Sequence, residues 1–124
     1  MGLEVRTEQQ AGGAVIVAPV GEFEVYTAAQ VKDVLMQLTD AGRPRVCVTL
    51  ADVTFLDSKA VGVIVEGTKR ARERGGDLVI VCASERYARH LRILKLDEFL
   101  SIAASTDEAL AMLSEAGEPH GPNG

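Results

Sequence analysis

The pattern of apolar residues along the chain predicts five extended segments. The first alternates weakly, as an edge strand does, and a turn at residues 8–13 joins it to a longer and more buried run. The run at residues 45–50 is apolar on both faces, which is typical of a central strand. The predicted strands are residues 3–7, 14–20, 45–50 and 78–82, with a short extended piece at residues 100–103.

Four other segments have apolar residues at intervals of three or four, which predicts amphipathic helices. Their starts coincide with residues that often cap helices, namely Thr27, Asp57 or Ser58, Ser84 and Ser105. Thr27 and Ser105 are each followed three positions later by Gln or Glu, which is the form of a capping box. The alternation of strand and helix after residue 45 predicts parallel strand pairs.

Composition limits the chain to one domain. It has 124 residues, of which 47% are hydrophobic, and this is enough for a modest core. The net charge of -5 argues against non-specific binding to nucleic acid, because the phosphates would be repelled by the surface as a whole. A protein partner is therefore the more natural expectation. Arg86, Arg89 and Arg92 recur every three residues and predict a positive stripe on the surface.

The two ends of the chain carry no sign of membrane targeting. The first residues lack an apolar core long enough for a signal peptide, and no apolar run approaches the roughly 18 residues that a membrane-spanning helix needs. We therefore expect a cytoplasmic protein. The polar segment at residues 117–124 is expected to form a flexible tail.

Residues that often carry metal or redox chemistry are sparse and scattered. Cys47 and Cys82 lie within β-branched runs without a C-x-x-C motif, which predicts buried, inert thiols. His90 is out of step with the apolar positions of its helix, which predicts an exposed side chain, and His120 belongs to the tail. The glycine pairs lack the lysine and the spacing of a P-loop. We therefore expect no cofactor, no metal site and no catalytic site.

The segment at residues 53–62 carries the most informative chemistry. An extended apolar piece runs into Asp57 and Ser58, and helical spacing follows. A hydroxyl at such a position lies beside free N–H groups and the positive end of the helix dipole, so it would carry a phosphate without unfolding the helix. The alternative from the residues alone is that Asp57 or Ser58 is simply an N-cap.

Two segments of the chain resemble the bacterial anti-sigma-factor antagonists, which are small STAS-domain proteins. They are G-E-F-E-V-Y-T-A at residues 21–28 and V-T-F-L-D-S-K-A-V-G at residues 53–62. The resemblance continues through further segments to residues 106–110 and so covers nearly the whole chain. It implies a single STAS-like α/β domain over residues 1–116. Such a domain has a mixed β-sheet of four to five strands and about four α-helices packed mainly on one face.

The resemblance also implies a function. Unphosphorylated members of the family bind an anti-sigma factor that is also a serine kinase, which releases the sigma factor, and phosphorylation of the motif serine reverses this. By position the phosphoacceptor is Ser58, and a protein phosphatase would restore it. The implied partner-binding residues are Glu22, Glu24, Thr27, Asp57, Ser58, Lys59 and Ala60. No direct contact with nucleic acid or membrane is implied, and we expect a monomer or a weak homodimer.

Three positions depart from the family pattern. Glu24 stands where the family usually has Asp, Lys59 replaces a second small hydroxyl residue, and Ala60 replaces a glycine. A lysine in the first turn slightly opposes the helix dipole, although it could pair with Asp57 or with a phosphate on Ser58. These departures keep open a STAS scaffold that binds partners without switching. An enzyme with Ser58 as its nucleophile is the other alternative, although the chain has no G-x-S-x-G elbow.

Overall fold

The computed structural model describes residues 2–117 of the chain, and the side chains of that stretch as far as Ser114. Residues 118–124, which make up nearly all of the predicted flexible tail, lie outside the described residues. The elements follow in the order β1 Leu3–Gln9, β2 Val15–Phe23, α1 Ala28–Asp40, β3 Arg45–Thr49, β4 Val53–Leu56, α2 Ser58–Glu73, β5 Asp77–Val81, α3 Glu85–Ile93, a 3-10 turn Leu96–Glu98, β6 Ser101–Ala103 and α4 Thr106–Gly117.

These strands form one mixed sheet with the order β1-β2-β3-β5-β6. The first two strands pair antiparallel as the predicted hairpin, and β3 lies between β2 and β5 in parallel pairing, which confirms its central position. The sheet has six strands, one more than the upper end of the predicted range. The additional strand is β4, which pairs with the second half of β2 because β3 covers only the first half.

The two faces of the sheet are covered unequally. Alternate residues of β2, β3 and β5 point into a core that they share with α1, α2 and Leu91 of α3. The intervening residues, among them Cys47 and Val79, pack against Ala109 and Leu113 of α4 on the opposite face. Three helices therefore lie on one face and one on the other, which confirms the predicted packing mainly on one face.

Both cysteines are free and buried, as predicted. Burial raises the pKa of the Cys47 thiol to about 11, because the thiolate would lose its hydration. The thiol is therefore protonated and unreactive at neutral pH. Among the described residues, no helix is long and apolar enough to cross a membrane.

Two predicted helix caps at the far end of the chain have different outcomes. Ser105 Oγ accepts a hydrogen bond from the Glu108 N–H at 3.1 Å, and the Glu108 carboxylate accepts one from the Ala104 N–H at 2.9 Å, which closes the start of α4. Ser84 occupies the N-cap position of α3, but its side chain makes no capping hydrogen bond. Ser84 therefore precedes α3 as its N-cap residue, as predicted, but its side chain does not take part in the cap.

Candidate functional site

The site lies where β2 and β4 end side by side. Phe23 is paired in register with Leu56, the last residue of β4, and the Asp57 N–H donates to the Phe23 carbonyl at 3.4 Å. Because the two strands run parallel, the segments that follow them emerge at the same edge of the sheet. The loop of residues 24–27 therefore lies beside the start of α2.

Asp57 joins these two segments through both of its carboxylate oxygens. It is the N-cap of α2, and its Oδ1 accepts a hydrogen bond from the Ala60 N–H at 3.0 Å. Its Oδ2 accepts a hydrogen bond from the Val25 N–H at 2.9 Å, across 32 positions of sequence. Asp57 therefore caps the helix, as one reading of the sequence held, and also holds the neighbouring loop in place.

Thr27 organises the loop from within. Its buried hydroxyl donates to the Glu22 carbonyl at 2.6 Å and accepts a hydrogen bond from the Glu24 N–H at 3.0 Å. The predicted capping box with Gln30 was wrong, because Thr27 makes no side-chain hydrogen bond to the start of α1. The hydroxyl is used instead to close the turn, which presents residues 25 and 26 to solvent.

Ser58 is the first residue of α2 and its side chain is exposed. Among the described residues, nothing forms a hydrogen bond with the Ser58 hydroxyl. Ser58 lines an open groove of about 360 Å³ between α1 and α2. The groove is lined by Val25, Ala29, Lys32, Ser58, Lys59, Gly62, Val63 and Glu66.

Large apolar side chains are exposed in the loop that Asp57 holds and in the strand that precedes Ser58. Tyr26 is 87% exposed and Val25 is 54% exposed, and both belong to the loop that Asp57 holds. Phe55, three positions before Ser58, is 48% exposed. Exposed apolar residues that lie close together mark protein–protein contact sites more often than isolated ones do. The sequence pattern did not single out these three residues, although two large apolar residues in a loop of neither helical nor strand pattern were a usable signal.

The remaining predicted site residues divide into surface and interior groups. Lys59 is exposed, and among the described residues it has no carboxylate within ion-pair distance, so the predicted pair with Asp57 does not form. Glu24 is half-buried, and its carboxylate accepts the Tyr26 N–H at 2.8 Å. Glu22 is half-buried at the end of β2. Ala60, which the resemblance implied as a partner-binding residue, is completely buried, and its methyl group packs in the core.

The surroundings of Ser58 do not resemble those of a catalytic serine. Within residues 2–117 no general base contacts its hydroxyl. His90 is exposed, as predicted, and lines a separate groove with Phe55, Leu56, Arg86 and Tyr87. A nucleophilic serine needs a base within hydrogen-bond reach and a third group that orients the base.

The fold is a mixed sheet with three helices on one face and one on the other, and an exposed serine begins its second helix. The family model of the STAS domain matches residues 5–109. The chain is 34% identical over 88 residues to the anti-sigma-B factor antagonist of Bacillus subtilis, and this alignment covers 70% of the chain and 79% of that relative. The chain belongs to the STAS-domain family of anti-sigma factor antagonists.

Solved structures agree with this assignment. A candidate anti-sigma factor antagonist from Thermotoga maritima superposes with a TM-score of 0.81 at 26% identity, over 88% of this chain and 93% of that one. The Bacillus cell fate determinant SpoIIAA in its phosphorylated form superposes with a TM-score of 0.69 at 15% identity, over 88% of this chain and 98% of that one. The second match concerns the fold alone.

Proposed function

We propose that this protein is a phosphorylation-switched antagonist of an anti-sigma factor. In its unphosphorylated form it binds an anti-sigma factor that is also a serine kinase, and a sigma factor is released. Phosphorylation of Ser58 ends this binding, and a protein phosphatase restores it. The protein acts in the cytoplasm, has no catalytic activity of its own and contacts neither nucleic acid nor membrane.

The observation that carries the proposal is the exposed and unbonded Ser58 hydroxyl at the first position of α2. A kinase must align the acceptor oxygen with the γ-phosphorus of ATP, so the acceptor has to be accessible and its backbone has to be fixed. Asp57 supplies the rigidity through its two hydrogen bonds to Ala60 and Val25. The similarity to antagonists from other bacteria supports the choice of partner.

A phosphate on Ser58 is expected to change binding much more than folding. It adds about -1.5 to -2 charges and three acceptor oxygens, and the dipole of α2 favours negative charge at this end of the helix. A partner packed over Val25 and Tyr26 would have to bury that charge. Burial of an unpaired charge costs several kcal/mol, so the complex dissociates while the fold remains.

The roles of the predicted contact residues follow from their exposure. Ser58, Lys59 and the rim of Val25 and Tyr26 face solvent and would contact the partner directly. Thr27 and Ala60 are buried and would act by holding the loop and the helix start in position. Glu22, Glu24 and Asp57 are half-buried and combine structural bonds with access to the surface.

The proposal is tested by incubating the protein and ATP with each anti-sigma kinase of the source organism. Mass spectrometry should detect one phosphate on Ser58 with one of the kinases, and the Ser58→Ala variant should remain unmodified while it still binds that kinase. A phosphate on another residue, or binding without any modification, would contradict the switch.

A second candidate function is a scaffold that binds its partner without being switched. Lys59 favours it, because an exposed cation stands beside Ser58 where the family has a small hydroxyl residue, and this changes what a kinase meets at the acceptor. Restoring the family residue distinguishes the two functions. If Lys59→Ser gains phosphorylation that the original chain lacks, the original chain is a scaffold.

A further inference from the structure

The exposed side of α3 combines positive charge with apolar side chains. Arg86, Arg89, His90 and Ile93 follow at helical intervals on one face and are all exposed, whereas Leu91 on the opposite side is buried in the core. Ile93 is 67% exposed and the adjoining Leu94 is 45% exposed. A helix of nine residues thus turns a mixed basic and apolar stripe toward solvent.

The stripe continues onto the sheet through Phe55. This residue of β4 lines a groove of about 240 Å³ together with Arg86, Tyr87 and His90 of α3. Tyr87 fixes the helix against the strand, because its hydroxyl donates to the Val53 carbonyl at 3.0 Å. We use the name α3 surface for Phe55, Arg86, Arg89, His90, Ile93 and Leu94.

The charges of the α3 surface are not neutralised by the protein itself. Arg92 forms an ion pair with Glu85 at 2.5 Å, but in the described part of the chain no carboxylate lies within ion-pair distance of Arg86 or Arg89. The helix carries three arginines and one glutamate, although the chain as a whole has a net charge of -5. The local charge is therefore opposite in sign to that of the molecule.

From this combination we infer that the α3 surface is a docking site for an acidic amphipathic segment of a partner protein. Acidic residues of the segment would pair with Arg86 and Arg89, and its apolar residues would cover Phe55, Ile93 and Leu94. Amphipathic helices dock into grooves in this way through residues at intervals of three and four. A positively charged surface favours a partner segment with negative charge, and it disfavours a basic segment because like charges repel.

This site is separate from the proposed switch, because the groove that Phe55 lines with α3 shares no lining residue with the groove that Ser58 lines. A segment docked there makes its contacts with α3 and β4, whereas Ser58 lines the groove between α1 and α2. We therefore expect docking to survive phosphorylation. A partner could in this way stay attached to the protein in both states of Ser58.

The test uses the full chain labelled with ¹⁵N and two synthetic peptides of about 14 residues. Both peptides have leucines at the same positions; the acidic peptide carries Glu at the other positions and the basic peptide carries Lys. The acidic peptide should shift the backbone resonances of Phe55 and of residues 86–94. Its affinity should fall about tenfold or more in the double variant Arg86→Glu, Arg89→Glu, and it should also fall as salt rises from about 0.05 to 0.5 M. The Ile93→Ser variant should weaken binding as well, because it removes apolar contact area.

The matched control is the double variant Arg43→Glu, Lys69→Glu, which changes the net charge by the same amount elsewhere on the protein. It should keep the affinity within about twofold, since distant surface charges are screened. The inference would be overturned if the basic peptide bound as well as the acidic one, if both double variants lost the same affinity for the acidic peptide, or if the acidic peptide did not bind. So would resonance shifts confined to residues 25–32 and 58–66. A dimer in sedimentation analysis that Ile93→Ser disperses would assign the surface to a second copy of the chain instead.

Discussion

The Asp57 carboxylate accepts a hydrogen bond from the Val25 N–H at 2.9 Å, although 32 positions separate the two residues in sequence. This bond connects the loop that carries Val25 and Tyr26 with the helix that carries Ser58. The exposed apolar rim and the exposed hydroxyl are therefore parts of one preorganised surface. Asp57 would be needed at this position even if its neighbour were never modified, because it supports both segments.

Replacing Asp57 by Asn separates its two contacts. Asn caps helices about as well as Asp, so its amide oxygen should keep the bond to the Ala60 N–H, but the NH₂ group cannot accept a hydrogen bond from Val25. The Val25 amide should then exchange with solvent about tenfold faster or more, while global stability changes by about 1 kcal/mol or less. Hydrogen exchange followed by NMR gives the first value and urea unfolding the second. The Asp33→Asn variant, on the exposed side of α1, is the control, and unchanged protection at Val25 would contradict the prediction.

Replacing Thr27 by Val should destabilise the protein by about 1 to 3 kcal/mol, because the half-buried Glu22 carbonyl and Glu24 N–H both lose the hydrogen bond to the Thr27 hydroxyl. The side chain keeps its shape, so packing is preserved. Urea unfolding measures the change. Thr54→Val, which alters an exposed threonine of β4, should stay within about 0.5 kcal/mol. Equal effects of the two variants would mean that the Thr27 hydroxyl does not hold the loop.

Replacing Ser58 by Asp should leave the thermal midpoint nearly unchanged and weaken binding of the anti-sigma factor about tenfold or more. A negative charge at the first position of α2 is favoured by the helix dipole, whereas a partner has to bury it. Calorimetry with the protein alone and with the partner measures both quantities. Ser58→Ala should bind as the original chain does. A large drop in melting temperature with binding retained would count against the proposed switch.

Replacing Lys59 by Glu should stabilise the protein by about 0.3 to 1 kcal/mol at low salt, because it exchanges an unfavourable for a favourable charge in the first turn of α2. The gain should shrink as salt is added, since the residue is exposed. Urea unfolding at two salt concentrations tests this. Lys69→Glu makes the same exchange near the other end of α2 and should have the opposite sign. A gain that does not depend on salt would point to a cause other than the dipole.

Much of the fold could be predicted from local patterns. The hairpin, the central position of β3 and the helical face of the sheet follow from apolar periodicity, because each pattern can bury its apolar side in only one way. The piece before Asp57 was predicted to be extended but was not counted as a strand of the sheet, since four residues carry little periodicity and pairing depends on the length of the neighbouring strand. The predicted capping box at Thr27 was wrong for a similar reason. A side chain with several acceptors and donors within reach chooses between them by tertiary geometry.

The family, the position of Ser58 at the start of a helix and the two buried thiols could be predicted from the sequence, because they depend on residues that are close together in the chain. The bond from Val25 to Asp57, the exposure of Tyr26 and Phe55, and the burial of Ala60 in the core depend instead on how distant segments pack together. Such contacts arise when the ends of β2 and β4 are brought to one edge of the sheet. That meeting is fixed by strand register, which no short segment of sequence contains.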